Sequence, residues 1–553
     1  MWSRRAFRLF QRIRSGAQFA TADAPRVSTA GSSISFSGSK SYGQSNYGST
    51  WRKHPWNFML GIVLSGPTAI YLGFSRNPVF AQDVSVADLV TENDQAQSYV
   101  TGLRRIEDGS VISNSHTSKW RIFTDNGRDL FLKGKLDEAE KYFQSALHEA
   151  KEGFGPRDPH VASSFNNLAE LYRVRKTFEK AEPLYLEAIS ILEESFGADD
   201  IRVGAALHNL GQFYLAQRKL EQARTCYERA LKIKGRVLGH GHTDYANTMY
   251  HLGTVLHLLG KEKDSVDLIQ ESIRILEESG LGESTTCVRR MRYLSQILLS
   301  SNRLAEAESL QRKILHILEL SKGWDSLETV IAAEGLALTL QSNGSLLEAQ
   351  ELLERCLVAR KGILPPAHVQ VAANMVHLAR IAILNSKKLW KIKSSKARSE
   401  LERAKLLIGD SIRIAKAVLD HPSKNRNSFQ SNSAPTEIEK DQHVALIILL
   451  QSLDAVGLLE VTKQELLETK EACEFPSEAE LALRECVSIF KESQTRMMLL
   501  SASDVRAEYL SCLKHLMSLL SESTDESKLR VLQELKYEVQ HIEAELAPRR
   551  QRK

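Results

Sequence analysis

The sequence contains no glycine-rich phosphate loop, no GxSxG and no HExxH. It therefore has no recognisable nucleotide cradle, serine nucleophile elbow or zinc-peptidase helix, and reads as non-enzymatic, with no cofactor and no metal. Cysteines are few: Cys226, Cys287, Cys356, Cys473, Cys486 and Cys512 form no CxxC pair, and the closest two, Cys473 and Cys486, have twelve residues between them. Neither a zinc site nor a disulfide framework is expected from that spacing. Aromatic residues are 7% of the 553, against 42% hydrophobic and 25% charged, which is ordinary for a folded protein. Acids are almost missing at the start. Residues 1–82 hold ten of the 73 Lys and Arg but one of the 68 Asp and Glu, Asp23, so the remainder carries 63 basic against 67 acidic residues. A body of net charge −4 lacks the basic stripe that displaces counterions from phosphates, so no nucleic acid is expected.

The basic head is patterned. In "MWSRRAFRLFQRIRSGAQFATAD" Arg4, Arg8 and Arg12 share one helical face, and Trp2, Ala6, Leu9, Phe10 and Ile13 fall largely on the other. An acid-free, Arg-rich amphipathic start is the pattern of an organelle transit peptide, most like a mitochondrial presequence. A helix lying on a membrane surface is the alternative. Residues 28–50 are Ser/Gly-rich and cannot bury a core, which makes a plastid (chloroplast) address the second reading and closes an address-and-linker segment at 1–50. Residues 58–74 carry no charge and reach the lower length limit for a transmembrane helix. Trp51, Trp56 and Tyr71 sit as interfacial aromatics with Arg52, Lys53 and Arg76 outside, while Gly66-Pro67 interrupts the run. Val79 and Ala81 in "NPVFAQD" suit a processing peptidase. Together these features predict sorting to the mitochondrial inner membrane, facing outward, unless cleavage after Ala81 releases a soluble protein. Residues 83–118 read as a linker.

The body repeats itself every 42 residues. Gly127, Ala169, Gly211, Gly253, Ser295, Ala337 and Ala379 form one column of small residues, and Ala139, Ala181, Ala223, Ser265, Ala307 and Ala349 a second. A third runs Ala146, Ala188, Ala230, Ser272, Ile314 and Cys356, where Cys356 reads as a buried thiol. Leu168, Leu210, Leu252, Leu294, Leu336 and Leu378 precede the first column. Each row is two amphipathic helices whose small residues allow close backbone approach. Gly155, Gly197 and Gly239 are placed to end the second helix in the left-handed conformation. A period of this length is the mark of a repeat architecture.

The segments "NNLAELY…EKAEPLYLEAI…FGADD" and "LHNLGQFY…EQARTCYERALKIKGRVLGHGH" resemble the tetratricopeptide repeat, and more narrowly its 42-residue kinesin-light-chain type. The resemblance spans residues 119–420, about six to seven repeats. It implies an all-α solenoid, a right-handed superhelix of antiparallel helix pairs whose inner wall is lined by the first helix of each pair. Three rows are strong; later ones replace the aromatic by Ile269, Gln311 and Leu353, and thirteen extra residues around "SKKLWKIKSSKARSE" interrupt the seventh. The heptad coiled coil of kinesin light chains is absent, so no motor role follows.

By that resemblance the inner wall binds a peptide segment of a partner protein. The column Asn167, Asn209, His251 and Tyr293 is implied to reach the peptide main chain. Around it lie Asn166, Arg173, His208, Gln212, Tyr250, Thr254, His257, Arg292 and Gln296. Amides and imidazoles both donate and accept, which suits a main chain; an ordinary solvated face is the alternative for each residue. Asp125 and Asp129 on the first row would repel a carboxylate, against an Hsp70/Hsp90-type clamp. "HGHTD" at 240–244 falls in the inter-repeat loop and reads as loop, not metal site. Residues 421–440 are a polar linker, and 441–546 are amphipathic helices, either degenerate repeats or a cap. The reading that results is a membrane-anchored protein–protein adaptor. A plastid or thylakoid assembly factor and an organellar RNA-binding repeat protein are the alternatives.

Overall fold

The computed structural model describes residues 115–420, 437–467, 478–496, 503–520 and 526–546. The expected address peptide, the span at 58–74 and the site near Ala81 lie outside them. The described residues form eighteen helices and no strand. They fall in pairs: α1 (Ser115–Leu132) with α2 (Leu136–Phe154), α3 (Pro159–Val174) with α4 (Phe178–Phe196), α5 (Ile201–Ala216) with α6 (Leu220–Leu238), and α7 (Thr243–Leu258) with α8 (Glu262–Glu278). Next come α9 (Thr285–Ser300) with α10 (Leu304–Lys322), α11 (Leu327–Ser342) with α12 (Leu346–Ile363), and α13 (Val369–Leu389) with α14 (Ser394–Asp420). Each helix packs on the one before and the one after it in sequence, which is the contact order of a solenoid.

Small residues set the crossings. A Cβ on Gly211 would lie 2.8 Å from the Tyr227 ring, on Gly127 2.7 Å from Phe143, and on Gly253 2.7 Å from Ile269. The large residue of the second helix thus occupies the space that the first helix leaves open, and Phe143, Tyr185 and Tyr227 are fully buried. Neighbouring pairs are also tied by side chains: Tyr172 Oη donates to Glu140 at 2.7 Å and Tyr214 Oη to Glu182 at 3.0 Å.

Turn chemistry repeats with the same period. Gly134, Lys176, Arg218, Gly260, Asn302 and Gly344, spaced by 42, all have positive φ where the first helix of a pair ends. At Lys176 the backbone N–H donates to Arg173 O and the next N–H, of Thr177, to Tyr172 O, the two bonds of a Schellman ending. First helices start on Asp158, Asp200, His242, Ser284 and His368, whose side chains accept from the first turn. His242 of "HGHTD" is therefore a cap. Gly155, Gly197 and Gly239 do take positive φ, but with ψ of 163°, 157° and 161°. This corrects the expected left-handed helical conformation: the region is one that essentially only glycine enters, and it sends the chain away instead of curling it back.

The C-terminal helices α15 (Glu437–Leu467), α16 (Glu478–Arg496), α17 (Ser503–Leu520) and α18 (Glu526–Leu546) continue the stacking. Arg380 reaches Asp454 at 3.2 Å and Lys387 reaches Glu465 at 2.8 Å, so α13 and α15 run parallel, as successive first helices do. One hydrophobic cluster reaches from Leu315 to Ile542, with a smaller one around Ala379, Ala404 and Ala455 beside it. Among the described residues one helix is long and apolar enough to cross a membrane, Asp441–Leu466, but 72% of its apolar window is buried in this core. It carries Gln451, Ser452 and Asp454 into polar contacts there, as a core helix does. Cys486 and Cys512 are joined by a disulfide between α16 and α17. The bond is not visible in the cysteine spacing, because two thiols 26 residues apart in the chain meet only after α16 and α17 have stacked.

Candidate functional site

The first helices of the second to fourth pairs, α3, α5 and α7, with α9 beyond them, are the more buried of each pair, and their register aligns the columns singled out above. Asn209 Nδ2 donates to Asn166 Oδ1 at 3.0 Å, joining α5 to α3. The Gln212 amide lies 3.1 Å from His208 Nε2 and 3.5 Å from His251 Nε2, joining α5 to α7. The His208 and His251 rings meet edge to face at 5.1 Å, and Tyr227 stacks on His251 from behind. Tyr250 and His257 both abut Tyr293 with centroids 5.9 Å apart, carrying the line to α9. The structure thus brings most of the expected residues into one polar track crossing four helices.

They are not equally available. Asn167 and Asn209, the two asparagines of the column implied to reach a main chain, are 6% and 7% exposed. His208, Tyr250, Thr254 and Tyr293 are also buried, and Thr254 Oγ1 donates to its own helix at Tyr250 O, 3.0 Å away. The partly exposed members are Asn166, Arg173, Gln212, His251, His257, Arg292 and Gln296. Arg173 donates to Glu170 at 2.8 and 3.0 Å, and Tyr185 Oη also donates to that buried carboxylate. Arg292 and Gln296 stand at the far end, with Arg292 3.9 Å from Glu328.

Electrostatics along the track favour neutral imidazole. Burial, then the charges of Arg290 and Lys234, push His251 down to about 3. Burial also lowers His257. Both act as neutral donor–acceptors at physiological pH. Arg290, which the sequence reading did not single out, explains part of this. The residue is 2% exposed, and its guanidinium donates to Ala246 O at 3.2 Å, Ser272 O at 3.3 Å and Asn247 Oδ1 at 3.2 Å and lies 5.3 Å from the Tyr250 ring. Burial pulls its pKa down to about 10. The available signal was its register: 42 residues earlier the position is Thr248, also buried, so an arginine there enters the wall. Among the described residues no group of three or more His, Cys, Asp and Glu is arranged to hold a metal ion.

A stack of antiparallel helix pairs with a polar inner track defines a helical-repeat scaffold for protein interaction. Residues 121–194 and 202–278 match the tetratricopeptide repeat, so this part of the chain is a run of tetratricopeptide repeats. No curated protein matches it. Among solved structures it is similar to the nearly identical TPR-like repeats of a Podosopora anserina protein assigned as a kinesin light chain, at 20% identity over 37% of this chain and 98% of that one, TM-score 0.34. It is also similar to the apo form of RapI, at 11% identity over 78% and 98%, TM-score 0.48. A Rap protein complexed with competence and sporulation factor overlays at 13% identity over 78% and 100%, TM-score 0.30.

Proposed function

We propose that this chain is a non-enzymatic adaptor that holds a peptide segment of a partner protein against the inner faces of α3, α5, α7 and α9, and that residues 58–74 anchor it in the mitochondrial inner membrane. The observation that carries the reading is the polar track from Asn166 to Tyr293, whose exposed edge is made of Asn166, Gln212 and His257 and flanked by Arg173 and Arg292. Amide and neutral imidazole groups in that row match the alternating N–H and C=O of an extended main chain. The burial of Asn167 and Asn209 moves the peptide contact to their exposed neighbours. The buried pair shapes the wall from beneath. The Cys486–Cys512 disulfide supports a compartment that oxidises thiols, such as the intermembrane space.

The test places a photo-crosslinking residue at Gln212 or at Leu186, an exposed residue of the second helix α4, in the tagged full chain within isolated mitochondria. A discrete adduct from position 212, absent from 186 and lost when Asn166→Ala and Arg292→Ala are added, is the expected result. Equal adducts from both positions overturn the groove. Protease protection and carbonate extraction of the same samples test the anchor separately: a carbonate-soluble chain removes it.

A further inference from the structure

The seventh pair departs from the others at one end only. α11 stops five residues after its small-column residue Ala337, whereas α13 runs ten residues past Ala379. α12 begins three residues before Ala349, whereas α14 begins ten before Ala404. Both helices of this pair are therefore longer at the hairpin that joins them, which carries the tip about 8–10 Å beyond the level of the other intra-pair turns. Nothing in the solenoid requires this: the small-residue columns close without the extension.

The chemistry of the tip is one-sided. From Ser386 to Ser399 the chain has no acid, and Lys391, Lys393, Lys396 and Arg398 are exposed with no ion-pair partner among the described residues. Lys387, lower on the hairpin, is paired to Glu465. Ile392, at the turn, is 78% exposed, the most exposed large apolar side chain among the described residues. Half-buried Trp390 sits beside it under the Arg398 guanidinium, 5.7 Å from the ring. The turn is ordered by Lys393 N–H donating to Leu389 O at 2.7 Å.

We propose that the α13–α14 hairpin docks onto an anionic lipid surface, with Ile392 entering the headgroup boundary beside Trp390 and Lys391, Lys393, Lys396 and Arg398 facing the acidic headgroups. Cations flanking an indole and an exposed aliphatic tip match the interface of a bilayer, where aromatic rings sit at headgroup level and basic residues meet negative surface charge. A nucleic acid would satisfy the cations but give the aliphatic tip nothing to bury in, so lipid is the occupant. The surface goes beyond the adaptor reading and rests neither on it nor on residues 58–74.

The test is hydrogen exchange of the full chain with phosphatidylcholine vesicles, with and without phosphatidylserine, followed in the peptide covering Leu389–Arg398. Because the readout is local, binding through the N-terminal segment does not mimic it. Slowed exchange at the hairpin on anionic vesicles alone is expected. Lys391→Gln, Lys393→Gln and Lys396→Gln together should lower the ratio of docked to free hairpin by about 100-fold and restore solution exchange. Ile392→Ser alone should weaken the protection, with unchanged circular dichroism in both variants. Equal exchange on both vesicle types overturns the proposal, as does protection by a single-stranded RNA with none by anionic vesicles.

Discussion

Asp454 of α15 is buried between Arg380 of α13, 3.2 Å away, and His515 Nδ1 of α17, so a single carboxylate ties three successive first helices together. Burial opposes charge at both His515 and Asp454, but their mutual attraction and hydrogen bond prevail: His515 is held above its ordinary 6.5 and Asp454 below its ordinary 3.8, with Arg380 adding to the latter. The histidine's contribution is fully present below pH 6.5 and fades as pH rises through its raised folded value. The aspartate's is present above 3.8 and is lost as pH falls through its depressed one. The stability difference between the wild type and His515→Gln should thus be largest between those values and shrink toward alkaline pH. Thermal melts followed by circular dichroism across that range check it, and a pH-independent difference would show that the imidazole acts only by packing.

In the first six pairs, the ending of the first helix is conformationally uniform and chemically uneven. Three of the six left-handed positions are glycine; Lys176, Arg218 and Asn302 adopt φ of 59–60° with a side chain present. For an ordinary L-residue that conformation costs about 1–2 kcal/mol relative to the right-handed one. Arg218 is exposed and takes part in no ion pair among the described residues, so removing its side chain forfeits little. Arg218→Gly is expected to stabilise the chain by roughly 0.5–1 kcal/mol, the relief of strain being partly offset by the greater freedom of glycine in the unfolded chain. Urea denaturation measures it, and a loss of stability would mean that the arginine stem packs on α5 or α6 more than its exposure indicates.

Across the molecule the core is not evenly continuous. The first pairs rest on small separate clusters around Trp120 and around Phe131, whereas the last pairs share one cluster from Leu315 to Ile542, stapled further by the Cys486–Cys512 disulfide. In a repeat array each pair is stabilised by its own core and its neighbours, so a pair resting on small clusters opens first. Native-state hydrogen exchange should show α1 and α2 opening well before α13, α15 and α17. A single exchange rate across all pairs would instead mark one cooperative unit.

The 42-residue period by itself determined the helix pairs, the small-residue crossings and the column in which Asn166, His208 and Tyr250 align. A helix of fixed pitch carries residues at equal spacing to equal positions, so these features are local and periodic. Three things were settled only by stacking. Whether a track residue is reachable depends on what covers it, which is why Asn167 and Asn209 proved buried while Gln212 stayed partly open. Whether two cysteines meet depends on which helices become neighbours, so Cys486 and Cys512 could not be paired from their spacing. Whether 441–546 caps the solenoid or extends it depends on direction, and the parallel run of α13 and α15, held by Arg380–Asp454 and Lys387–Glu465, exists only once helices far apart in the chain have packed.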